Sequence, residues 1–558
     1  MIRVVRVISI LRNMDIRRMN SITRFAFLQL AFVGITAFSA ASQEGRPNIV
    51  LIMADDMGYS DLGCFGGEID TPNLDSLAEN GLRFSQFYTT SKCVPTRASI
   101  LTGLYQHQVG MGWMEGSNMR FPGYVGDLYS NCATIAQLLA QDGYRTYMTG
   151  KWHLTYHRYH EPDGPKHNWP KQRGFQEFYG TIHGAPVYFS LKGLTNGNRQ
   201  VNPPKDLYYT DVITDHTVRY INKHQQFFPN DPFFAYVAYT APHFPLKAKP
   251  EDIEKYLGKY MGGWEEKREA RYQRLIDMGI IDKDWPLTEK DAPDWDSLPL
   301  EEQKLWDKRM AVYAAQIDCM DQGIGKIIRA LEAAGELDNT LILFLSDNGA
   351  TDYVPDDYHT GYDILGTDDS SDSQQGPWAN LSNTPFRRYK RQSHEGGIAA
   401  PLIAHWPAKI EARGELTGSV SHVIDIMPTI LETAGVAYPE KLGDYPLLPL
   451  EGKSLLGTLS GESVYKDRTL FFEHQGNWGI RDGDWKLVYY GAQGRRELFN
   501  MVEDRTETND LMGEKPKIAA ELFAKWDTWA KRCNVYPLSN SKPWNYAQDP
   551  YKGNYNLK

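Results

Sequence analysis

One repeated feature constrains the fold more than any other: apolar runs that stop abruptly on polar residues. The run from Ile49 to Ala54 ends at Asp55-Asp56, and it does not alternate with polar residues. An unbroken run of this length is what a strand buried on both faces requires. The pattern recurs where Tyr144 to Met148 leads into Gly150-Lys151-Trp152-His153 and where Phe233 to Tyr239 leads into Pro242-His243. A fourth run, Thr340 to Leu345, ends in Ser346-Asp347-Asn348-Gly349. Helix-like segments lie between them: Thr71 to Asn80, with Thr71 as N-cap, Pro72 at the first helical position and Gly81 as a stop, then Ala133 to Asp142 and Met310 to Ala334. Strands alternating with helices predict an α/β fold with a large, mostly parallel sheet sandwiched by helices. Such sheets bind ligands beyond the carboxyl ends of their strands, where the polar clusters fall.

From about Arg468 the texture changes to short strands at Leu470–His474, Trp478–Arg481, Trp485–Tyr490 and Leu498–Asn500, followed by a helix-like run from Lys515 to Arg532. This predicts a smaller C-terminal α+β domain containing an antiparallel sheet. A chain of 558 residues, 41% of them hydrophobic, is long enough for both domains. The expected organisation is 1–44 as an export signal, 45–460 as the catalytic domain and 461–558 as the C-terminal subdomain. Glu251 to Trp306 and Thr351 to Thr384 fit neither pattern, and their position beside strand ends makes them candidate substrate loops, as is Asp163 to Asn202.

The first residues read as a secretory signal. Arg17, Arg18 and Arg24 precede an apolar run from Phe25 to Phe38, and the small residues Ser39, Ala40, Ala41 and Ser42 follow. The charged stretch before Met19 is long for a signal, so Met14 or Met19 is a candidate start. The run is too short to span a bilayer comfortably and no later segment is more apolar, so no stable membrane insertion is expected and the mature protein is placed in the periplasm or outside the cell. The net charge of -10 argues against a nucleic-acid partner, because a polyanion is held by excess Lys and Arg. An anionic substrate therefore needs a local positive site. Five cysteines make neither a dense disulfide scaffold nor a Cys-x-x-Cys metal site; with Cys93 set aside, up to two disulfides are possible.

Cys93 precedes Pro95 and a helix expected over Thr96 to Thr102, which places it at a helix N-terminus where free N–H groups favour an anion. Arg97, one turn on, can point back at the same atoms. Asp55, Asp56, Asp347 and Asn348 offer oxygen ligands suited to a hard divalent cation, calcium or magnesium. Lys151 and His153 would face the same side if their strand continued, and His243 follows another strand. Taken singly, these residues also fit a buried thiol, strand-end caps and surface side chains.

Together the clusters resemble the type I sulfatases of the alkaline phosphatase superfamily, from about Arg46 to Asn534. The resemblance rests on Asp55-Asp56, Cys93-Val94-Pro95-Thr96-Arg97 followed by Ile100-Leu101-Thr102-Gly103, Gly150-Lys151-Trp152-His153-Leu154, Ser346-Asp347-Asn348-Gly349 and Glu395-Gly396-Gly397-Ile398. It implies that a formylglycine-generating machinery oxidises Cys93 to formylglycine and that Arg97 orients the product. It also implies that Asp55, Asp56, Asp347 and Asn348, with the modified Cys93, bind one calcium, magnesium being the lesser alternative. Lys390, five residues before Glu395, matches the spacing of a second active-site lysine, with Arg388 and Arg391 close by. By the same resemblance a hydroxyl of the hydrated aldehyde, deprotonated with help from Asp347, attacks sulfur while His243 protonates the leaving oxygen. His153 then assists the expulsion of sulfate. The sequence departs from many members at Ala399-Ala400 and at His394.

The expected activity is hydrolysis of sulfate monoesters, with a sulfated carbohydrate favoured over a small aryl sulfate by the export signal and by 14 Trp and 33 Tyr, although core aromatics explain the count equally well. Two alternatives stand: a formylglycine-dependent phosphonate or phosphate ester hydrolase, and a non-catalytic protein that binds sulfated glycans.

Overall fold

The computed structural model describes residues 45–115, 118–119, 121–184, 188–205, 207–355 and 361–536. The expected export signal lies outside the described residues.

Eleven strands among the described residues form one sheet: β1 (Asn48–Asp55), β2 (Leu82–Tyr88), β3 (Arg145–Lys151), β4 (Glu177–Thr181), β5 (Leu194–Asn196), β6 (Arg199–Gln200), β7 (Phe233–Pro242), β8 (Thr340–Ser346), β9 (Ala399–His405), β10 (Glu415–Thr417) and β11 (Ser421–His422). The spatial order is β10-β2-β9-β8-β1-β7-β3-β4-β5-β6, with β11 paired to β2. The centre is parallel: β1 pairs with β7 on one side and β8 on the other, and β3 joins β7 and β4 in the same sense. Antiparallel pairing enters at β8–β9, β2–β9 and β4–β5–β6.

All eight residues of β1 are buried, which explains its unbroken apolar run. Val50, Ile52 and Ala54 join a core with Leu74, Ile213 and Ile317 from the helices Pro72–Glu79, Tyr209–Phe227 and Leu300–Ala333. Ile49, Leu51 and Met53 join the opposite core with Ile100, Ile135 and Ile430 from Cys93–Thr102, Ile135–Gln141 and Ile426–Ala434. Successive side chains of a strand point to opposite faces, so one segment anchors both helical layers, each fully buried aliphatic side chain contributing about 1.5–3 kcal/mol. The predicted sandwich is met.

A four-stranded antiparallel sheet follows, β14 (Thr469–His474) to β17 (Arg495–Asn500) through β15 (Asn477–Asp482) and β16 (Trp485–Tyr490), after the short pair β12 (Lys441–Leu442) and β13 (Tyr445–Pro446). The helix Pro516–Arg532 packs Trp526 and Trp529 on it, with Trp526 stacked 4.4 Å from Trp478. A buried ionic group joins this sheet to the large one: Glu395 takes Lys486 at 2.7 Å and Arg505 at 2.8 Å, and Lys486 also meets Glu507 at 2.8 Å.

Several expectations need correction. The helix predicted from Met310 begins at Leu300, and the one predicted from Thr96 begins at Cys93. Thr71 occupies the N-cap but does not cap; its hydroxyl accepts from the Gly63 N–H and donates to Asp75. The segment Glu251 to Trp306 is largely helical, and Trp264 packs edge-on against Trp295 and Trp306 of the same segment and against Trp378 at 4.8–5.4 Å. All five cysteines are buried free thiols, so neither possible disulfide forms. No helix among the described residues is long and apolar enough to cross a membrane.

Candidate active site

The carboxyl ends of β1, β3, β7 and β8 converge as expected. Asp55 closes β1, and Asp56 adopts φ 66°, a left-handed turn. Consecutive strand residues face opposite ways, so this turn brings both carboxylates to one side. One oxygen from each lies within 4.8 Å of a His243 ring nitrogen; likewise Asp55, the Cys93 sulfur and Asp347 are mutually within 4.8 Å. Asn348 donates to Asp56 Oδ1 at 2.7 Å, and the Asp56 N–H donates to Asp347 Oδ1 at 3.1 Å.

Cys93 is the first residue of the helix Cys93–Thr102 and is 2% exposed. Behind it Arg97 donates to the Lys151 carbonyl at 3.0 Å and to Asp347 Oδ2 at 3.2 Å, and stands 3.6 Å from Asp55 Oδ2. Lys151 Nζ donates to Asp55 Oδ2 at 2.6 Å. Lys390 reaches Asp56 Oδ1, and His243 Nε2 stands 3.4 Å from Asp56 Oδ2. Lys390, the assignment with two arginines as rivals, is thus the one of the three that reaches this cluster, whereas Arg391 pairs with Asp352 at 2.9 Å.

His153 arrives by a different route from the one expected. Strand β3 stops at Lys151, and His153 itself takes φ 62°. Its Nε2 lies 2.9 Å from Glu115 Oε2, and its ring packs against Gly184, where an added Cβ would meet Nε2 at 1.9 Å. Glu115 and Tyr236, whose hydroxyl accepts from Arg97 at 3.5 Å, are the neighbours that sequence reading missed. Neither sits in a motif: Tyr236 is one aromatic in an apolar strand, and Glu115 lies in a segment without periodicity.

The electrostatics follow from this packing. Burial alone would raise Asp55, but Lys151, then His243, Arg97 and Lys390, hold it well below the usual carboxylate range. Asp347 goes the other way, pushed well above that range by burial and then by the Asp55 charge. Cys93 falls to about 5: burial opposes the thiolate, but Lys151, Lys390 and His153 outweigh it. Burial holds His243 down at about 4 despite Asp56, whereas His153 is raised because Glu115 outweighs the cost of its burial.

Asp55 Oδ1, Asp56 Oδ2 and Asn348 Oδ1 are buried acceptors with no hydrogen-bond partner. Buried acceptors in native proteins are ordinarily paired, and three unpaired oxygens on one site fit a hard divalent cation. The donor set therefore suits the ion the sequence called for.

The comparisons with known proteins agree with this geometry. The family model described as sulfatase matches residues 47–436, and the model described as N-sulphoglucosamine sulphohydrolase, C-terminal, matches residues 387–529. An arylsulfatase of Klebsiella aerogenes is 36% identical over 441 residues, covering 74% of this chain and 92% of its own. An uncharacterized sulfatase of Schizosaccharomyces pombe is 32% identical over 534 residues, covering 88% and 94%. The crystal structure of Ps i-CgsB in complex with k-i-k-neocarrahexaose superposes with a TM-score of 0.64 at 26% identity, covering 88% of this chain and 98% of that one. Matched along most of its length, the chain belongs to the sulfatase family, the type I sulfatases of the alkaline phosphatase superfamily, and is a sulfuric ester hydrolase.

Proposed function

We propose that this sulfatase hydrolyses sulfate monoesters of carbohydrates, using formylglycine made from Cys93 and a calcium ion held by Asp55, Asp56, Asp347 and Asn348 together with the modified Cys93. The observation that carries the reading is the set of unpartnered oxygens on Asp55, Asp56 and Asn348 beside a cysteine at a helix N-terminus. The carbohydrate class draws support from Ps i-CgsB, whose structure holds k-i-k-neocarrahexaose. The 1–44 segment supports export to the periplasm or beyond the cell.

A sulfate monoester resists hydrolysis because the attack must cross a shell of negative oxygens and expel an alkoxide. A bound calcium would supply Lewis acidity toward the nucleophile and a sulfate oxygen. As a hydrated formylglycine, residue 93 would supply one hydroxyl to attack sulfur and a second whose deprotonation lets the aldehyde re-form and sulfate depart. The remaining work falls to side chains already in place. Arg97, Lys151 and Lys390 supply positive potential where negative charge sits and develops. Asp347, whose carboxylate lies within 4.8 Å of the Cys93 sulfur, receives the first proton. His243 donates to the leaving oxygen; an anionic sulfate beside Nε2 opposes the burial that otherwise keeps the ring neutral. His153 takes the second hydroxyl's proton.

The test is a mass spectrum of the peptide containing Cys93 from active protein, together with Cys93→Ala. Aldehyde in the peptide and loss of turnover with the fold intact are expected. A pure thiol in fully active protein, or undiminished activity in the variant, removes the reading.

A further inference from the structure

Past His243 the chain continues into Phe244, whose ring stacks on the imidazole with centroids 4.4 Å apart and planes 27° apart. The carbonyl of Phe244 accepts from His243 Nδ1 at 2.6 Å, so this one residue holds the imidazole by its ring and by its backbone. Nε2 is then the nitrogen that faces Asp56, 3.4 Å away, and the substrate. Tyr353 continues the aromatic surface away from His243, its ring 5.0 Å from that of Phe244 at 41°.

Tyr353 belongs to Thr351–Thr384, one of the expected substrate loops, and it is anchored there. Its N–H donates to Thr351 Oγ1 at 3.3 Å, and its carbonyl accepts from Ser373 Oγ. Its neighbour Asp352 pairs with Arg391 at 2.9 Å, one residue on from Lys390. Phe244 and Tyr353 are both half-buried, and among the described residues neither belongs to the cores that enclose Tyr188, Tyr208 and Trp378. Apolar ring surface left in water forgoes the stabilisation that covering it would give. Rings already held in place lose little freedom when a ligand covers them.

We propose that Phe244 and Tyr353 form a platform on which the sugar ring carrying the scissile sulfate stacks its C–H face. The inference rests on the carbohydrate sulfatase reading and deepens it, naming the side chains that select a closed sugar ring over an acyclic alcohol. Proton transfer from His243 Nε2 requires the leaving oxygen within about 3 Å of that nitrogen. The sugar bonded to that oxygen is thereby brought beside the rings that flank the imidazole. A rigid aromatic face gives the C–H groups a large contact while the sugar hydroxyls stay in water.

The experiment uses methyl glucopyranosides and galactopyranosides sulfated at single positions, each beside the open-chain alditol sulfated at the matching carbon. It compares kcat/KM in the unaltered enzyme, Tyr353→Leu, Tyr353→Phe and Phe244→Leu, each variant checked for folding by thermal unfolding. The unaltered enzyme should prefer the pyranoside. Tyr353→Leu should lower that preference about tenfold, the upper end for one aromatic contact, with KM carrying the change and Tyr353→Phe retaining the preference. Phe244→Leu should lower it as well and also slow kcat on both esters, because its ring supports His243. Equal losses on both esters in a folded Tyr353→Leu would give the ring a structural role alone and overturn the proposal. So would an unaltered preference in that variant, or an unaltered enzyme that does not distinguish ring from open chain. An unaltered enzyme that cleaves aryl sulfates and neither sugar-derived ester shows instead that the carbohydrate reading has failed, and the inference falls with it.

Discussion

Glu115 Oε2 lies 2.9 Å from Nε2 of His153, a contact made across a segment with no recognisable motif. It leaves Nδ1 as the ring nitrogen free to act as a base, since a carboxylate beside Nε2 favours the tautomer protonated there. Glu115→Gln should therefore slow turnover by about 10–100-fold with KM little changed. Quenched-flow mass spectrometry should find sulfate retained covalently on the enzyme. A fall in kcat without any trapped sulfate would mean that Glu115 serves the fold alone.

Chelation should inactivate the enzyme and lower its melting temperature. The unpartnered oxygens of Asp55, Asp56 and Asn348 are costly to bury without a cation. Calcium at a hundredfold excess over its Kd should add about 2.7 kcal/mol of stability. Calcium should restore activity at lower concentration than magnesium, because the larger ion accepts more oxygen ligands in a looser geometry. Titrations of each ion into chelated protein, followed by activity and melting temperature, decide the order.

Glu395 is buried between Lys486 and Arg505, so Glu395→Ala leaves Arg505 without its anion and Lys486 with Glu507 alone. Loss of one partner from a buried ion group costs about 3–5 kcal/mol, and the urea midpoint should fall accordingly. Glu395 joins the two sheets without touching Cys93 or the cluster of Asp55, Asp56, Asp347 and Asn348, so the kcat of the folded fraction should be preserved at low temperature.

Stability should decline in two stages on acidification. His394 and His405 are held at about 4 by burial, below the value of an unfolded imidazole, so the unfolded chain binds more protons and stability falls as pH drops from about 6.5 to about 4. Glu115, Glu395 and Glu497 are held at about 2: burial opposes this, but His153, Lys486 with Arg505, and His394 respectively overcome it. Their stabilisation is complete above the unfolded value near 4.3 and is lost as pH falls toward about 2. Thermal melts across this range should show both declines, and Glu115→Gln should reduce the second.

Much of the fold and most of the site were legible in the chain. Short unbroken apolar runs that end on polar residues fit strands covered on both faces, and β1 meets this by sending alternate residues into two cores. Because parallel strands present their carboxyl ends together, the polar residues ending those runs had to meet, and Asp55, Lys151, His243 and Asp347 do. What tertiary structure decided was the contribution of residues outside that periodicity. His153 reaches the site through a left-handed turn after its strand has ended, and Glu115 through a loop whose path depends on what it packs against. The aromatic count suited sugar or core equally, and only packing assigns Trp264, Trp295 and Trp306 to one cluster. Local pattern determines which face a residue takes within an element. Which distant residue it meets, as Arg388 meets Tyr490, depends on how the elements pack.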